Sequence, residues 1–350
     1  MSPRNWKRFA IAAAIAALFA MATPATVHAQ PFGAWMILNG PTNGYSNIAS
    51  VPALNPTSSI TIEAWVNITD AQAGGCSSIA GKGFHDSWWI GICGTDFRSY
   101  LSNRIFYSAG TIPHHWTHIA VTFDGTTRRH YINGELVGAR AEAFSTLTTN
   151  INPVQIGSDV DFSYTPNGSL NEVRLWSVAR TQAQIRSTIN VPITSTQPGL
   201  IAVWSDGVHD AVGAHAGTLV GSVSFLNAPV TLNCGSTTAT SLCLNTRFSV
   251  SATFRVGAPG TAESQAHVAV ANSGSGIFWF FASDTWEVLV KSLNGCALNS
   301  RYWIFSAATT NVFYRMNVFD IRAGVNKIYF NYPGPPAPAV TDTDAFATCP

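Results

Sequence analysis

Charged residues are scarce in this sequence, and neither sign dominates. Only 11% of the 350 residues are Asp, Glu, Lys or Arg, whereas about 25% is usual in soluble proteins. The 19 basic and 18 acidic residues leave a formal net charge of +1. Nucleic acids and anionic membrane surfaces are bound by basic stripes, which this balance does not supply. We therefore expect neither of them as a partner.

Long hydrophobic runs are absent after the first residues. The chain starts with basic residues, an apolar run over residues 9–21 and the small-x-small triplet Val27-His28-Ala29, which is the pattern of a secretory signal peptide. We predict that residues 1–29 are this peptide and that cleavage follows Ala29. A membrane span needs about 20 apolar residues, and no later segment approaches that length. The expected protein is secreted or periplasmic, without membrane insertion.

Catalytic motifs are absent as well. A glycosidase needs two carboxylates that flank the scissile bond, and the nearest pair here is Asp159 and Asp161, in an expected loop before a proline. Glu172 stands alone on its predicted strand. The sequence has no G-x-S-x-G motif and no Cys-x-x-Cys spacing. We therefore predict that the protein is not an enzyme.

The six cysteines that are present fit an oxidising compartment. Residues 77–81 and 88–92 are expected to fold back about a turn at residues 84–86, and symmetry about this turn sets Cys76 opposite Cys93. Opposed residues in an antiparallel ladder have Cα atoms about 4.5–5.5 Å apart, which a disulfide bond can span. We predict a Cys76–Cys93 bond.

The other four cysteines are Cys234, Cys243, Cys296 and Cys349, all in the second half of the chain. Four cysteines allow three connectivities. Of these we favour Cys234–Cys349, which would join the two ends of this half, with Cys243–Cys296 inside it.

Alternating apolar and polar residues predict β-strands along most of the chain. In residues 116–137 two turn signals, Asp124-Gly125 and Asn133-Gly134, separate short strand-like segments, and Asn-Gly is typical of a type I′ hairpin. Residues 59–68 alternate in the same way. Only one segment looks helical, residues 181–190, which begins with a threonine that can cap the helix. The expected architecture is a β-sandwich.

Four segments resemble laminin-G-like domains. They are residues 59–66 (SITIEAWV), 116–125 (WTHIAVTFDG), 131–137 (YINGELV) and 167–185 (NGSLNEVRLWSVARTQAQI). The resemblance covers about residues 33–190 and implies an all-β fold, a concanavalin A-like jelly-roll sandwich. That superfamily contains lectins, adhesion modules, calcium-binding domains and glycosidases, so the resemblance leaves the function open.

Beyond the predicted signal peptide we expect two domains. Residues 30–227 form the jelly roll with a trailing strand segment, residues 228–241 a linker, and residues 242–350 a smaller immunoglobulin-like β-sandwich. The second domain is predicted from seven short strands, at residues 247–256, 266–271, 277–281, 286–291, 301–306, 312–319 and 327–332. Its segments LCLNTRF and TDAFATC resemble an uncharacterised C-terminal domain that recurs in secreted bacterial proteins.

The laminin-G-like resemblance also implies a calcium site, because some members bind calcium at the sandwich rim through Asp and Asn oxygens. The candidate ligands are Asn39, Asp159, Asp161 and Asn171. Asn39 and Asn171 stand where members often carry Asp. Since ligand charge sets calcium affinity, the expected site is weak. No other cofactor is expected.

Trp88 and Trp89 are the candidate ligand-binding residues. Alternation along a strand sends one ring into the core and the other outward, and an outward Trp can stack on a sugar ring. The alternative is that the outward ring packs beneath a loop, as most Trp side chains do.

These observations predict a secreted, non-catalytic binding module that recognises a glycan or an extracellular surface protein. Two alternatives stay open, a polysaccharide-active hydrolase of the same superfamily and a purely structural adhesion component.

Overall fold

The computed structural model describes residues 34–40, 44–70, 75–112, 114–160, 165–226 and 231–350. The predicted signal peptide and Asp161 lie outside these residues. The described chain folds into two antiparallel β-sandwiches. Its helices are all too short to cross a membrane.

Among its described residues, the first sandwich contains fifteen strands, one α-helix and one short 3-10 helix (Pro52–Leu54). The strands are β1 (Trp35–Leu38), β2 (Tyr45–Ile48), β3 (Ile60–Asp70), β4 (Cys76–Gly81), β5 (Trp88–Cys93), β6 (Asp96–Leu101), β7 (Arg104–Thr111), β8 (Thr117–Phe123), β9 (Thr127–Ile132), β10 (Glu135–Ala141), β11 (Val154–Ile156), β12 (Asn167–Trp176), β13 (Leu200–Trp204), β14 (Gly217–Val220) and β15 (Val223–Leu226). The helix is α1 (Gln182–Thr188).

Two sheets make up this sandwich. An eight-stranded sheet has the order β10-β9-β8-β3-β12-β1-β15, and β13 also pairs with β12. A seven-stranded sheet has the order β14-β2-β11-β4-β5-β6-β7. Apolar side chains of both sheets meet in one core, which includes Ile62, Val66, Ile90, Val121 and Leu175. Period-2 alternation explains this core, because every second side chain of a strand points to the same face.

The predicted meander over residues 116–137 is confirmed as β8, β9 and β10. At its second turn Asn133 and Gly134 have φ of 50° and 75°, the left-handed values that a type I′ turn requires. At the first turn the Asp124 carboxylate accepts hydrogen bonds from the backbone N–H groups of Thr126 and Thr127. The predicted helix is confirmed as α1, and the side chain of its cap Thr181 accepts from the Gln184 N–H.

The trailing segment returns to the first sandwich with three strands. β13 pairs with β12, β14 with β2 and β15 with β1. The sequence predicted only a trailing strand segment there, which β13 provides. The remaining two are short and carry mostly exposed side chains, so their hydrophobic pattern is weak.

The second sandwich contains ten strands and one helical turn. They are β16 (Ser241–Leu244), β17 (Phe248–Arg255), β18 (Ser264–Gln265), β19 (His267–Ala271), β20 (Ser275–Trp279), β21 (Val288–Asn294), α2 (Cys296–Asn299), β22 (Tyr302–Ala308), β23 (Phe313–Asp320), β24 (Val325–Asn331) and β25 (Val340–Phe346). Two five-stranded antiparallel sheets pack face to face, as the immunoglobulin-like prediction requires. The seven predicted strands are present. The prediction missed β16, β18 and β25, of which the last reads VTDTDAF and looks like a polar tail.

The structure confirms one disulfide prediction and corrects the other two. Cys76 pairs with Cys93, at directly opposed positions of β4 and β5. The predicted Cys234–Cys349 and Cys243–Cys296 bonds are wrong, because the structure has Cys234–Cys243 and Cys296–Cys349.

The correct pairing follows from strand neighbours that the sequence does not show. The N–H of Cys234 donates to the Thr246 carbonyl, which folds its segment back beside β16 and Cys243. The strand β25 pairs with β22. Cys349 follows β25, and Cys296 lies just before β22, so these two cysteines meet.

The two sandwiches pack against each other across the outer face of the eight-stranded sheet. An apolar cluster joins Trp35, Trp65, Trp116 and Ile189 of the first sandwich to Phe319, Ile321 and Ile328 of the second. A buried ion pair between Arg255 and Glu135 lies at the same interface. The indole N–H of Trp65 donates to the Ile189 carbonyl at 3.0 Å. The outward side chains of Thr61, Glu63 and Trp65 on β3 are therefore as buried as the core face, whereas Asn67 is only partly buried.

Candidate functional site

A cleft opens at one rim of the first sandwich, between the loop after β2 and the loop that leads into β11. Its volume is about 630 Å³, within the range of small-ligand sites. The lining residues are Ser50, Val51, Pro52, Asn55, Thr149, Asn150 and Ile151. None of these carries a charge, and Ile151 is 91% exposed. We call this feature the rim cleft.

Asn150 holds the loops of the rim cleft together. Its side-chain Nδ2 donates to the Lys82 carbonyl at 2.7 Å, and its backbone N–H donates to Asn55 Oδ1 at 3.2 Å. Its Oδ1 accepts from the Asn152 N–H at 3.1 Å. Three segments that are distant in sequence therefore meet at one residue, which fixes the shape of the cleft wall.

Lys82 lies beneath the rim cleft and is fully buried. Its Nζ donates to Ser50 Oγ at 2.8 Å and to the Asn152 carbonyl. Burial lowers the pKa of Lys82 to about 8, because the charged form loses solvation. The ammonium group thus joins the loop after β2 to the loop before β11.

Asp159 shapes the turn that carries Lys82. Its carboxylate accepts the N–H groups of Gly83 at 3.0 Å and Phe84 at 2.9 Å, and the side chain is buried. Gly83 has φ of 97°, a value that favours glycine. Asp159 therefore positions the turn between β4 and β5, and through it the cleft wall.

We expect Asp159→Asn to lower the free energy of unfolding by about 1.5–3 kcal/mol, because hydrogen bonds to a charged acceptor are lost. Urea unfolding of the full chain measures this change. The matched control is Asp284→Asn, at an exposed position of the second sandwich. Equal stability of Asp159→Asn and the control would contradict the positioning role.

The predicted aromatic platform at Trp88 and Trp89 is wrong. The alternation itself is present, since Trp88 packs in the core between the sheets and Trp89 lies on the opposite face. However, Trp89 is fully buried because the rings of Phe84 and Tyr100 cover it, with centroid distances of 5.5 and 5.9 Å. Its Nε1 donates to Ser78 Oγ. A covered ring offers no face to a sugar.

Two of the candidate calcium ligands, Asp159 and Asn171, make hydrogen bonds within the protein, and Asp161 lies outside the described residues. Asp159 accepts the two amides of the turn, and Asn171 Nδ2 donates to the carbonyls of Ala34 and Ser205. Asn39 is exposed after β1. Across the described ranges, no three His, Cys, Asp or Glu side chains form a group suited to a metal ion. Calcium binding stays a prediction.

A second group of polar residues, which the sequence did not reveal, is buried on the outer face of the eight-stranded sheet. Glu63 Oε1 accepts from Trp176 Nε1 at 2.7 Å and from Arg180 at 2.6 Å, and His118 Nε2 lies 3.3 Å from Glu63 Oε2. Arg174 and Glu172 form a neighbouring pair at 2.8 Å. A period-2 pattern assigns such positions to the outer face of the sheet. It does not show which segments pack over them and bury them.

Both carboxylates of this group are inaccessible. Glu63 is 0% and Glu172 2% exposed. Burial raises the pKa of Glu63, but the hydrogen bond with His118 and the charges of Arg174 and Arg180 outweigh it and bring the pKa to about 2. Burial raises the pKa of Glu172. These residues stabilise the scaffold, and a polysaccharide cannot reach them.

Comparison with known proteins supports this architecture. Residues 40–186 match the family model described as the concanavalin A-like lectin/glucanases superfamily. Over these residues the first sandwich is similar to concanavalin A-like domains. The match confirms the predicted fold for this part of the chain. The predicted likeness of the second sandwich to a recurring bacterial domain stays a prediction.

Two curated relatives match this chain over a short segment only. Pappalysin-1 of Mus musculus is 28% identical over 160 residues, and that of Homo sapiens 26%. The matched segment is 38% of this chain and 10% of each relative. Nothing about the whole relatives transfers to this chain from so short a match.

Solved structures show a looser likeness. A proposed carbohydrate-binding protein from Bacteroides ovatus is 21% identical with a TM-score of 0.48, over 57% of this chain and 62% of that one. A heptameric pentraxin from Limulus polyphemus is 13% identical with a TM-score of 0.43, over 56% and 95%. At these TM-scores the likenesses carry no functional argument.

Proposed function

We propose that this protein is a secreted, non-catalytic glycan-binding module and that the rim cleft is its binding site. The observation that carries the proposal is the chemistry of the cleft. Fixed amides and hydroxyls of Ser50, Asn55, Thr149 and Asn150 line it together with an exposed aliphatic side chain, Ile151. Glycans present hydroxyl groups and apolar ring faces, and such a mixture of groups complements both.

The family match is compatible with this role, because the superfamily description includes lectins. The same description includes glucanases, so the absence of catalysis rests on the residues. None of the seven residues that line the rim cleft carries a carboxylate. The carboxylate of the nearby Asp159 accepts hydrogen bonds from two backbone N–H groups. A glycosidase needs two carboxylates facing one bond.

A glycan array probed with the full chain tests the proposal. We expect binding to a subset of immobilised glycans and no release of reducing sugar from them. The array is read with calcium and with EDTA, and we expect equal signals because the residues that line the rim cleft include no carboxylate. No binding to any glycan would refute the proposal, and release of reducing sugar would favour the hydrolase alternative.

A further inference from the structure

The rim cleft has a buried positive charge beneath it and no charged residue in its lining. Lys82 is 0% exposed, and its Nζ donates to two neutral oxygens, Ser50 Oγ and the Asn152 carbonyl. Among the described residues, no carboxylate lies within 4 Å of this Nζ. Burying an unpaired ammonium group is costly. A neutral amide side chain would donate to the same two oxygens at a lower cost.

Few charges surround Lys82. The loops at residues 49–55 and 147–153 contain no Asp, Glu, Lys, Arg or His. On its own turn His85 and Asp86 are exposed to solvent. Asp159 packs against the turn, but its oxygens accept the N–H groups of Gly83 and Phe84. The cleft is therefore a neutral surface beside two buried charges, Lys82, which bonds to the lining residue Ser50, and the Asp159 carboxylate, which accepts from the turn.

Ser50 connects this charge to the cleft. Its Oγ accepts a hydrogen bond from Lys82, and the residue lines the cavity. A hydroxyl group can also donate one hydrogen bond, and among the described residues the Ser50 hydroxyl has no acceptor. A bond accepted from a cation polarises the hydroxyl and strengthens its donation. Of the acceptors that a ligand can place in the cleft, an anionic oxygen forms the strongest hydrogen bond with this hydroxyl.

We propose that the rim cleft selects a negatively charged glycan, with carboxylate or sulfate groups, and that Lys82 supplies the matching charge through the Ser50 hydroxyl. This inference rests on the rim cleft being the glycan site. Carboxylate and sulfate groups on a sugar both present a negatively charged oxygen next to an apolar ring face.

Calorimetric titration of the full chain distinguishes the sources. The probes are an oligogalacturonate, its methyl ester, an oligosaccharide of dextran sulfate and the unsulfated dextran. We expect at least one charged probe to bind about tenfold or more tightly than its neutral counterpart. Lys82→Met and Ser50→Ala should remove that preference. The control Lys291→Met, at an exposed position of the second sandwich, should keep it.

Three outcomes overturn the inference. They are equal binding of charged and neutral probes, failure of both charged probes to bind, and a charge preference that survives Lys82→Met. Equal binding would leave the proposed glycan function intact, since the array tests it separately. If Lys82→Met does not fold, Ser50→Ala retains the buried charge and carries the test alone.

Discussion

Glu63→Ala is expected to lower the free energy of unfolding by about 3–5 kcal/mol, because removal of one partner from a buried ion pair leaves the other charge uncompensated. Arg180 is 6% exposed and donates to Glu63 at 2.6 Å. The variant also removes the acceptor of Trp176 Nε1. Chemical unfolding of the full chain measures the loss. The matched control is Asp96→Asn, in a partly exposed pair with Arg98, which should change stability by less than about 1 kcal/mol.

The lowered pKa of Glu63 also makes the free energy of unfolding depend on pH. The pKa of Glu63 falls from 4.5 to about 2 on folding, so the folded state binds the proton less readily than the unfolded state. The stabilisation is therefore complete above pH 4.5 and is lost as the pH falls towards 2. It amounts to about 3 kcal/mol.

Comparison with Glu63→Gln isolates this dependence. The difference in unfolding free energy between the wild type and Glu63→Gln should be constant above about pH 7, where His118 is neutral in both, and should shrink as the pH falls below about 4.5. A difference that stays the same down to pH 2 would show that Glu63 is not stabilised by its charge.

Arg255→Met is expected to produce the second large effect, a loss of about 3–5 kcal/mol at the interface between the sandwiches. Arg255 and Glu135 belong to different sandwiches, and their side chains are 3% and 5% exposed. Arg255 also donates to the Ala258 carbonyl and lies over the Phe313 ring at 4.4 Å. Its removal leaves the Glu135 carboxylate buried without a partner.

Differential scanning calorimetry measures the consequence. We expect the wild type to unfold in a single transition, because the apolar cluster and this ion pair join the two sandwiches, and we expect Arg255→Met to lower the melting temperature or split the transition. The control is Arg301→Met, whose pair with Asp344 is exposed. Two separate transitions already in the wild type would contradict the proposed coupling.

The features predicted correctly from the sequence are local. Asn133-Gly134 specifies its own turn through backbone conformation, and Thr181 caps the helix that it precedes. Cys76 and Cys93 flank one hairpin, so symmetry about its turn is enough to pair them. Each of these inferences needs only neighbours along the chain and the geometry of one element.

The features that sequence reasoning missed depend on contacts between distant segments. Trp89 points outward as predicted, but only the fold shows that Phe84 and Tyr100 cover it. Lys82 and Asn152 are 70 residues apart when they meet beneath the rim cleft. The neutral loops that form the cleft have no motif of their own, so the candidate site could not be located from the sequence.

The most direct test of the rim cleft is the affinity of Ile151→Ala for the glycan with the strongest array signal. Ile151 is 91% exposed, so its truncation should leave the fold intact, and the matched control is Leu232→Ala, at a position 85% exposed outside the cleft. If a sugar ring packs on Ile151, calorimetric titration should show affinity about tenfold lower for Ile151→Ala and unchanged for Leu232→Ala. Equal affinities of the wild type and Ile151→Ala would place the glycan site elsewhere.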